Sequence, residues 1–333
     1  MQTFQPSKRR VLVNALKVVL GVSSLSLTTG AALAADDKKL LIGYWPIAAG
    51  LPFFAAMERG LFKEAGVTVE AVKFASPSQV VEAMMAGRID GCANGVAITA
   101  LALADAQEPG NIKFTCVNFA NDKYVLDEVI VPVTSSAKEI SDLSGKKIAC
   151  GPGINNVTLA KSVMQGGGAK DVKVIELPIA QILPALSAGQ VDGAYILEPT
   201  GVIGNQEKIS KTLAVGVVTK YVLGDNLPWI GGAAALTAAT LKNKASLIAG
   251  YLSGYSAGVN YVRKEGLKAN QYLAGYTAIE GDLAKLVPVS GFIDHAEVKP
   301  SDIKALQKLF DIFAEKKVFE NPISAGSLFL KKA

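Results

Sequence analysis

The chain has one histidine and three cysteines in 333 residues. A zinc site or an imidazole-based catalytic centre needs such side chains clustered, and His295 has no Cys or His nearby in the sequence. Cys92, Cys116 and Cys150 are dispersed and match no metal spacing. They fall in or beside apolar segments, which reads as buried thiols, although an exported chain could pair two of them. Charge is also scarce, at 19% of residues. Four of the 34 basic residues (Lys8, Arg9, Arg10 and Lys17) lie in the first 34 positions, which hold no acidic residue. The other 30 nearly balance 29 acidic residues, so nothing points to nucleic acid or a membrane surface as the partner. Residues 11–27 are mostly apolar but interrupted by Asn14, Lys17 and a Ser/Gly cluster, too polar for a retained membrane anchor.

Those first residues have the layout of an export signal. Lys8, Arg9 and Arg10 form a basic start, an apolar stretch follows, and Ala32-Leu33-Ala34 is an A-x-A cleavage site. Cleavage is expected near Ala34, giving an exported protein. The Arg9-Arg10 pair permits the twin-arginine route, but its surroundings fit general secretion better. No cysteine stands at the cleavage site to carry a lipid. Half of the chain is apolar, enough for a sizeable core.

One pattern occurs twice. Residues 79–91 read QVVEAMMAGRIDG and residues 181–193 read QILPALSAGQVDG. Val80, Val81 and Met84 recur as Ile182, Leu183 and Leu186, the spacing of one buried helix side. Gly87 and Gly189 stand where a helix ends with positive φ. Asp90-Gly91 and Asp192-Gly193 then turn into an apolar strand. A helix–turn–strand unit used twice implies two similar α/β lobes. Around it, strands are expected at 39–44, 67–74, 112–119, 125–133 and 172–177, alternating with helices, hence an α/β fold. The turn 151–158, GPGINNVT, is a Gly-rich strand-to-helix turn that offers free N–H groups to an anion or carbonyl. Beyond residue 212 the pattern becomes helical, with a long helix at 241–263 carrying Gly250, Gly254 and Gly258. Further helices are expected at 267–276, 283–286 and 301–316.

In order and spacing, LIGYWPIAAGLPFFAAMERGLFKEAGV, AMMAGRIDG, SSAKEISDLSGKKIACGPG and ALSAGQVDGAYILEP followed by a helical tail resemble one known family. It is the periplasmic solute-binding proteins of ABC importers, in the alkanesulfonate, taurine, nitrate and thiamine-precursor (NMT1/THI5-like) group. The resemblance covers residues 38–330. It implies a type II-like two-lobed fold with two crossover strands, near 121–126 and 212–221, and C-terminal helices packed on the first lobe. The domains would be a signal peptide at 1–34, a first lobe at 38–122, a second lobe at 123–218, and a return to the first lobe at 219–333. It also implies a monomer without a cofactor that captures a small solute by hinge closure and hands it to a membrane permease driven by an ATPase subunit. The solute would be a sulfonate, taurine, nitrate or an aromatic carboxylate. A pyrimidine thiamine precursor or other heteroaromatic is the alternative. The related pyrimidine synthases would need a cleft histidine and a cysteine-rich iron-binding motif, both missing here.

Ligand in open α/β sheets lies outside the carboxyl ends of the strands. In the first lobe those ends carry Trp45 and Pro46, then Ser76, Ser78 and Gln79, then Asn94, Gly95 and Val96. In the second they carry Asn155 and Asn156, then Glu198 and Thr200. Trp45 suits stacking on a ligand, or an ordinary core position. Ser76 serves equally as a helix cap, and Asn94 is an amide that needs a reason to follow a buried strand. Glu198 suits a ligand amine or ring N–H, or a basic side chain of the protein. Trp229 either closes the cleft or belongs to the core. Apart from Lys123, none of these loops carries Lys or Arg, so an anion would rely on hydroxyls, amides and helix N-termini.

Overall fold

The computed structural model describes residues 39–121, 123–224 and 227–331; the expected signal peptide lies outside them. The apolar run KLLIGY forms β1 (Lys39–Tyr44), and Pro46, which has no N–H to donate, prevents its continuation. α1 (Leu51–Glu58), α2 (Leu61–Glu64) and β2 (Thr68–Lys73) follow. α3 (Pro77–Met85) begins with Pro77 and is capped by Ser76, whose Oγ accepts from the Gln79 N–H at 3.3 Å. β3 (Gly91–Ala97), α4 (Ile98–Gln107) and β4 (Ile112–Ala120) complete this part.

A second set comprises β5 (Asp127–Pro132), β6 (Lys147–Cys150), α5 (Ile154–Gly166), β7 (Lys173–Glu176), α6 (Ile179–Ser187), β8 (Gly193–Leu197), α7 (Thr200–Gln206) and β9 (Ser210–Val215). The chain returns through β10 (Trp229–Thr237), α8 (Ala238–Asn243), α9 (Ala245–Glu265), β11 (Gly291–Asp294), α10 (Pro300–Glu315) and α11 (Ala325–Leu328). These strands form two mixed sheets, in the orders β11-β4-β10-β3-β1-β2 and β7-β6-β8-β5-β9. Each contains three parallel strands flanked by an antiparallel one, β10 in the first and β5 in the second.

The repeated sequence units occupy equivalent places. α3 and α6 end at Gly87 (φ 65°) and Gly189 (φ 64°), a conformation that side chains with a Cβ rarely adopt. Asp90 and Asp192 then hold the first strand of each parallel set in the same way. The Asp90 Oδ2 accepts from the Leu41 N–H at 2.7 Å and its own N–H donates to the Leu41 carbonyl at 2.8 Å. Asp192 makes the same pair of bonds to Lys147, both at 2.8 Å. The aspartate is therefore a clip between the helix–strand turn and the neighbouring strand, which accounts for its place in both copies.

Several expectations need correction. The second passage between sheets spans 216–228, not 212–221: β9 continues to Val215, which pairs with Glu128, and residues Thr219–Leu223 form a π-helical turn. The first passage, 121–126, is where it was expected. The helix expected at 241–263 is two helices, α8 and α9, separated at Lys244. The segments Gly266–Leu273 and Gly281–Leu286 are 3-10 rather than α. Beyond residue 212 the pattern was expected to be helical, yet β10 runs through the middle of the first sheet, and β11 was not anticipated either. It is only four residues long, and it becomes a strand because β4 offers it an edge. The small residues of α9 do allow close approach. A Cβ on Gly250 or Gly258 would stand 2.6 Å from the Ala65 carbonyl or 2.4 Å from the Pro52 carbonyl, so α9 lies directly on α1 and α2. Among the described residues no helix is long and apolar enough to cross a membrane.

Candidate ligand-binding cleft

The strand ends of the two sheets face each other, and Trp45 stands between them. Its indole Nε1 donates to the Gly95 carbonyl at 2.6 Å, and the residue is 2% exposed. Gly95 makes this possible, because its φ is 93° and a Cβ there would stand 2.5 Å from the Ile47 side chain. Two small cavities adjoin Trp45, with volumes of about 20 and about 10 Å³. Each is close to the space that one water fills, so the lobes as arranged here are closed on the site.

The larger cavity is lined by Pro46, Asn156, Tyr195, Glu198 and Thr200 beside Trp45. The smaller is lined by Gly95, Asn118, Asn155, Asn156 and Trp229. Among the described residues no Lys, Arg or His lines either. Two of the lining residues carry a donor with no partner among the described residues, the Tyr195 hydroxyl and the Trp229 indole N–H. The Asn118 Oδ1 accepts from the Gly95 N–H at 3.0 Å.

The lobes touch directly at this place. Thr99 Oγ1 donates to Asn155 Oδ1 at 2.5 Å, and the Ala48 N–H donates to the Glu198 carbonyl at 3.1 Å. Thr99, Asn118 and Tyr195 were not singled out from the sequence. Thr99 and Asn118 lie inside apolar segments and Tyr195 inside a buried strand, where nothing local distinguishes them from core.

The expected residues separate into two groups. Trp45, Pro46, Gly95, Asn155, Asn156, Glu198 and Thr200 are brought together at the cavities. Ser76 is spent on the α3 cap, while the exposed Gln79 accepts from the Ala75 N–H at 3.1 Å. Ser78 is exposed on the first turn of the same helix, and Val96 is fully buried in the core. Asn94 is placed elsewhere: its Nδ2 donates to the Cys116 carbonyl at 3.2 Å, and its Oδ1 accepts from the Tyr255 hydroxyl at 2.7 Å. The reason for this amide is thus to anchor α9 to the sheet. The N–H of Gly153 in the Gly-rich turn donates to the Glu176 carboxylate at 3.0 Å, so one donor expected for an anion is already used.

Among the described residues Glu198 forms no ion pair with a basic side chain. Burial first, and the neighbouring Glu128 second, hold its carboxyl well above the ordinary range. Asp127, fully buried where the first passage enters β5, accepts from the Val218 N–H of the second passage at 2.7 Å. Burial pushes its carboxyl up to about 7. The three thiols are unpaired and buried, with Cys92 and Cys150 pushed up to about 12, chiefly by desolvation. Among the described residues no group of three or more His, Cys, Asp or Glu is placed to hold a metal ion.

Residues 33–228 match the NMT1-like family. Curated protein sequences give no match. Among solved structures, the periplasmic aliphatic sulphonate binding protein SsuA from Escherichia coli is similar at 18% identity and a TM-score of 0.70, covering 89% of this chain and 93% of that one. The alkanesulfonate-binding protein SsuA from Xanthomonas axonopodis pv. citri, bound to MOPS, is similar at 19% identity and a TM-score of 0.71, covering 90% and 100%. The periplasmic nitrate-binding protein NrtA from Synechocystis PCC 6803 has 13% identity and a TM-score of 0.62, covering 87% and 91%. The family match spans more than half of the sequence and the structural likeness nearly all of it: the chain belongs to the NMT1-like family and has the two-lobed α/β fold of the periplasmic binding proteins.

Proposed function

We propose that this protein is the exported solute-binding component of an ABC importer. It captures a small hydrogen-bond-accepting solute between its lobes and delivers it to a membrane permease with its ATPase. The observation that supports this reading is that Tyr195 and Trp229, which line the two cavities beside the buried Trp45, each carry a donor without a partner among the described residues. A buried donor without a partner is unfavourable, and a ligand oxygen at each would remove that penalty. A sulfonate, nitrate or carboxylate group presents such oxygens, and the proteins of similar fold are named for sulfonates and nitrate. With no Lys or Arg at the cavities, recognition would rest on neutral donors, with Asn118, Asn155 and Asn156 beside them. Because the cavities as arranged here admit little more than water, the solute must enter when the lobes are apart, and the lobes would close around it less tightly than they do without it.

The aromatic walls also suit a flat heteroaromatic such as a pyrimidine, with Trp45 as the stacking face. A thermal-shift and calorimetric panel of alkanesulfonates, taurine, nitrate, aromatic carboxylates and aminopyrimidines decides between them. Ligand that binds only the folded protein raises its melting temperature by mass action. A rise with one class, weakened in Tyr195→Phe, supports the reading and names the substrate. No rise with any member removes its support.

A further inference from the structure

Three asparagines line the smaller cavity, and in each the protein already uses one end of the amide. Asn118, on β4, accepts the Gly95 N–H with its Oδ1 at 3.0 Å. Asn156, on the first turn of α5, is held the other way round: its Nδ2 donates to the Pro152 carbonyl at 2.8 Å. Asn155 beside it accepts from the Thr99 hydroxyl at 2.5 Å. All three are more than nine-tenths buried, at 1% exposed for Asn118, 5% for Asn156 and 8% for Asn155.

An amide has a donor at one end and an acceptor at the other, so fixing one end decides what the other offers. Turning Asn118 over would set its NH2 against the Gly95 N–H, donor against donor. Turning Asn156 over would set its oxygen against the Pro152 carbonyl, acceptor against acceptor. Either leaves buried groups unsatisfied, which is costly away from water. The wall of the cavity therefore presents a donor at Asn118 and an acceptor at Asn156, and among the described residues no hydrogen bond takes up either free end. Asn155 is adaptable, because a hydroxyl such as that of Thr99 can accept as well as donate. The two fixed ends come from different sheets, Asn118 from the first and Asn156 from the helix that follows β6 of the second. One solute can meet both only when it lies between the lobes.

This pattern discriminates between solutes. A sulfonate, nitrate or carboxylate carries acceptors only, so it suits the Asn118 donor but opposes the Asn156 oxygen, and among the described residues no cation lines the cavities to offset that. The buried acids nearby add nothing in its favour: Glu198 lines the larger cavity, and Asp127 directly follows Leu126 of the smaller. A group with an acceptor and an N–H side by side satisfies both fixed ends.

We propose that Asn118 and Asn156 set the specificity of the cleft, selecting a neutral solute with an amide-like edge, an acceptor beside an N–H, over an oxyanion. The inference rests on the reading of this cleft as a solute site and narrows its substrate class.

Calorimetry with matched pairs tests it: benzamide with benzoate, nicotinamide with nicotinate, methanesulfonamide with methanesulfonate, and an aminopyrimidine with the unsubstituted pyrimidine. In the wild type the N–H-bearing member of a bound pair should be tighter by about tenfold or more. Asn156→Ala removes the acceptor, so that member should weaken while its partner does not, and the ratio between them should collapse. A merely structural role would weaken both members alike and keep the ratio, which overturns the proposal. Asn118→Asp still accepts from the Gly95 N–H and replaces only the free donor, so affinity for the neutral member should fall by about tenfold. An unchanged affinity there overturns the proposal, as does tighter binding of an oxyanion by the wild type. Should Asn156→Ala not fold, Asn156→Leu, closer in size, replaces it. Tighter oxyanion binding leaves solute capture intact and removes this inference alone, whereas a panel without any binder removes both.

Discussion

Thr99 and Asn155 belong to different lobes, and their side chains meet at 2.5 Å in the closed cleft. Both residues are buried, so neither group regains water while the lobes stay closed. Thr99→Val keeps the shape and removes the donor, leaving the Asn155 oxygen unsatisfied. Closure should weaken by about 1–3 kcal/mol. A double-mutant cycle with Asn155→Ala, read as solute affinity or as the closed fraction in scattering, isolates the pair. Additive effects would show that the bond does not contribute to closure.

Tyr195→Phe separates stability from binding. The hydroxyl has no partner in the protein, so removing it should leave the melting temperature unchanged or raise it. If a solute uses that hydroxyl, its affinity should fall by about tenfold, equal to about 1.4 kcal/mol. Calorimetry and a thermal scan on the same sample check both halves.

Asp127 gives a pH dependence of known sign. Its carboxyl ionises at about 7 in the folded protein and from an ordinary 3.8 when unfolded. Between those values the folded state holds a proton that the unfolded chain has released. Stability therefore falls as pH rises from about 4 to about 7 and then levels off. Asp127→Asn retains an acceptor for Val218 and should be more stable than wild type at about pH 8, with the difference vanishing near about pH 4. Urea denaturation at the two pH values measures it.

The paired clips Asp90 and Asp192 should differ in consequence. Asp90 is part of a largely buried ion pair with Lys244 at 2.9 Å, whereas Asp192 is paired with the exposed Lys146 at 3.9 Å. Asp90→Ala leaves the nearly buried Lys244 ammonium with only the Lys39 carbonyl and also loses the Leu41 clip, so it should destabilise by about 2–3 kcal/mol. Asp192→Ala loses the bond to the Lys147 N–H and should cost about 1 kcal/mol. Equal denaturation midpoints for the two variants would contradict this ranking.

Gly95→Ala should destabilise the fold and disturb Trp45. The substitution meets a positive φ and the Ile47 side chain together, so a loss of about 1–3 kcal/mol is expected. Tryptophan emission should shift red as the indole leaves its buried bond to the Gly95 carbonyl.

The two-lobed α/β fold was legible because its repeated unit is written in local chemistry. The helix face, the glycine that ends it and the Asp-Gly turn each act over a few residues, and they occur twice. Ser76 was legible as a cap for the same reason, and the cleft aromatic Trp45 because a proline ends its strand beside it. Asn94 shows where local reading stops: an amide after a buried strand was expected to face ligand, and its partners are Cys116 and Tyr255, 22 and 161 residues away.

The same distance separates the rest of the site. Thr99 gains meaning from Asn155, and Glu198 from Glu128, 70 residues earlier on another strand. Sequence by itself determined the α/β class, the duplicated helix–turn–strand unit and the shortage of metal and catalytic side chains. These follow from periodicity, backbone preference and composition, all of which act locally or in sum. Only the tertiary structure decided which polar groups found partners. It left Tyr195 and Trp229 without any among the described residues, and it buried Glu198 near Glu128 rather than beside a basic side chain. Hydrogen bonding and desolvation depend on neighbours in space, and the sheets bring those neighbours from remote parts of the chain.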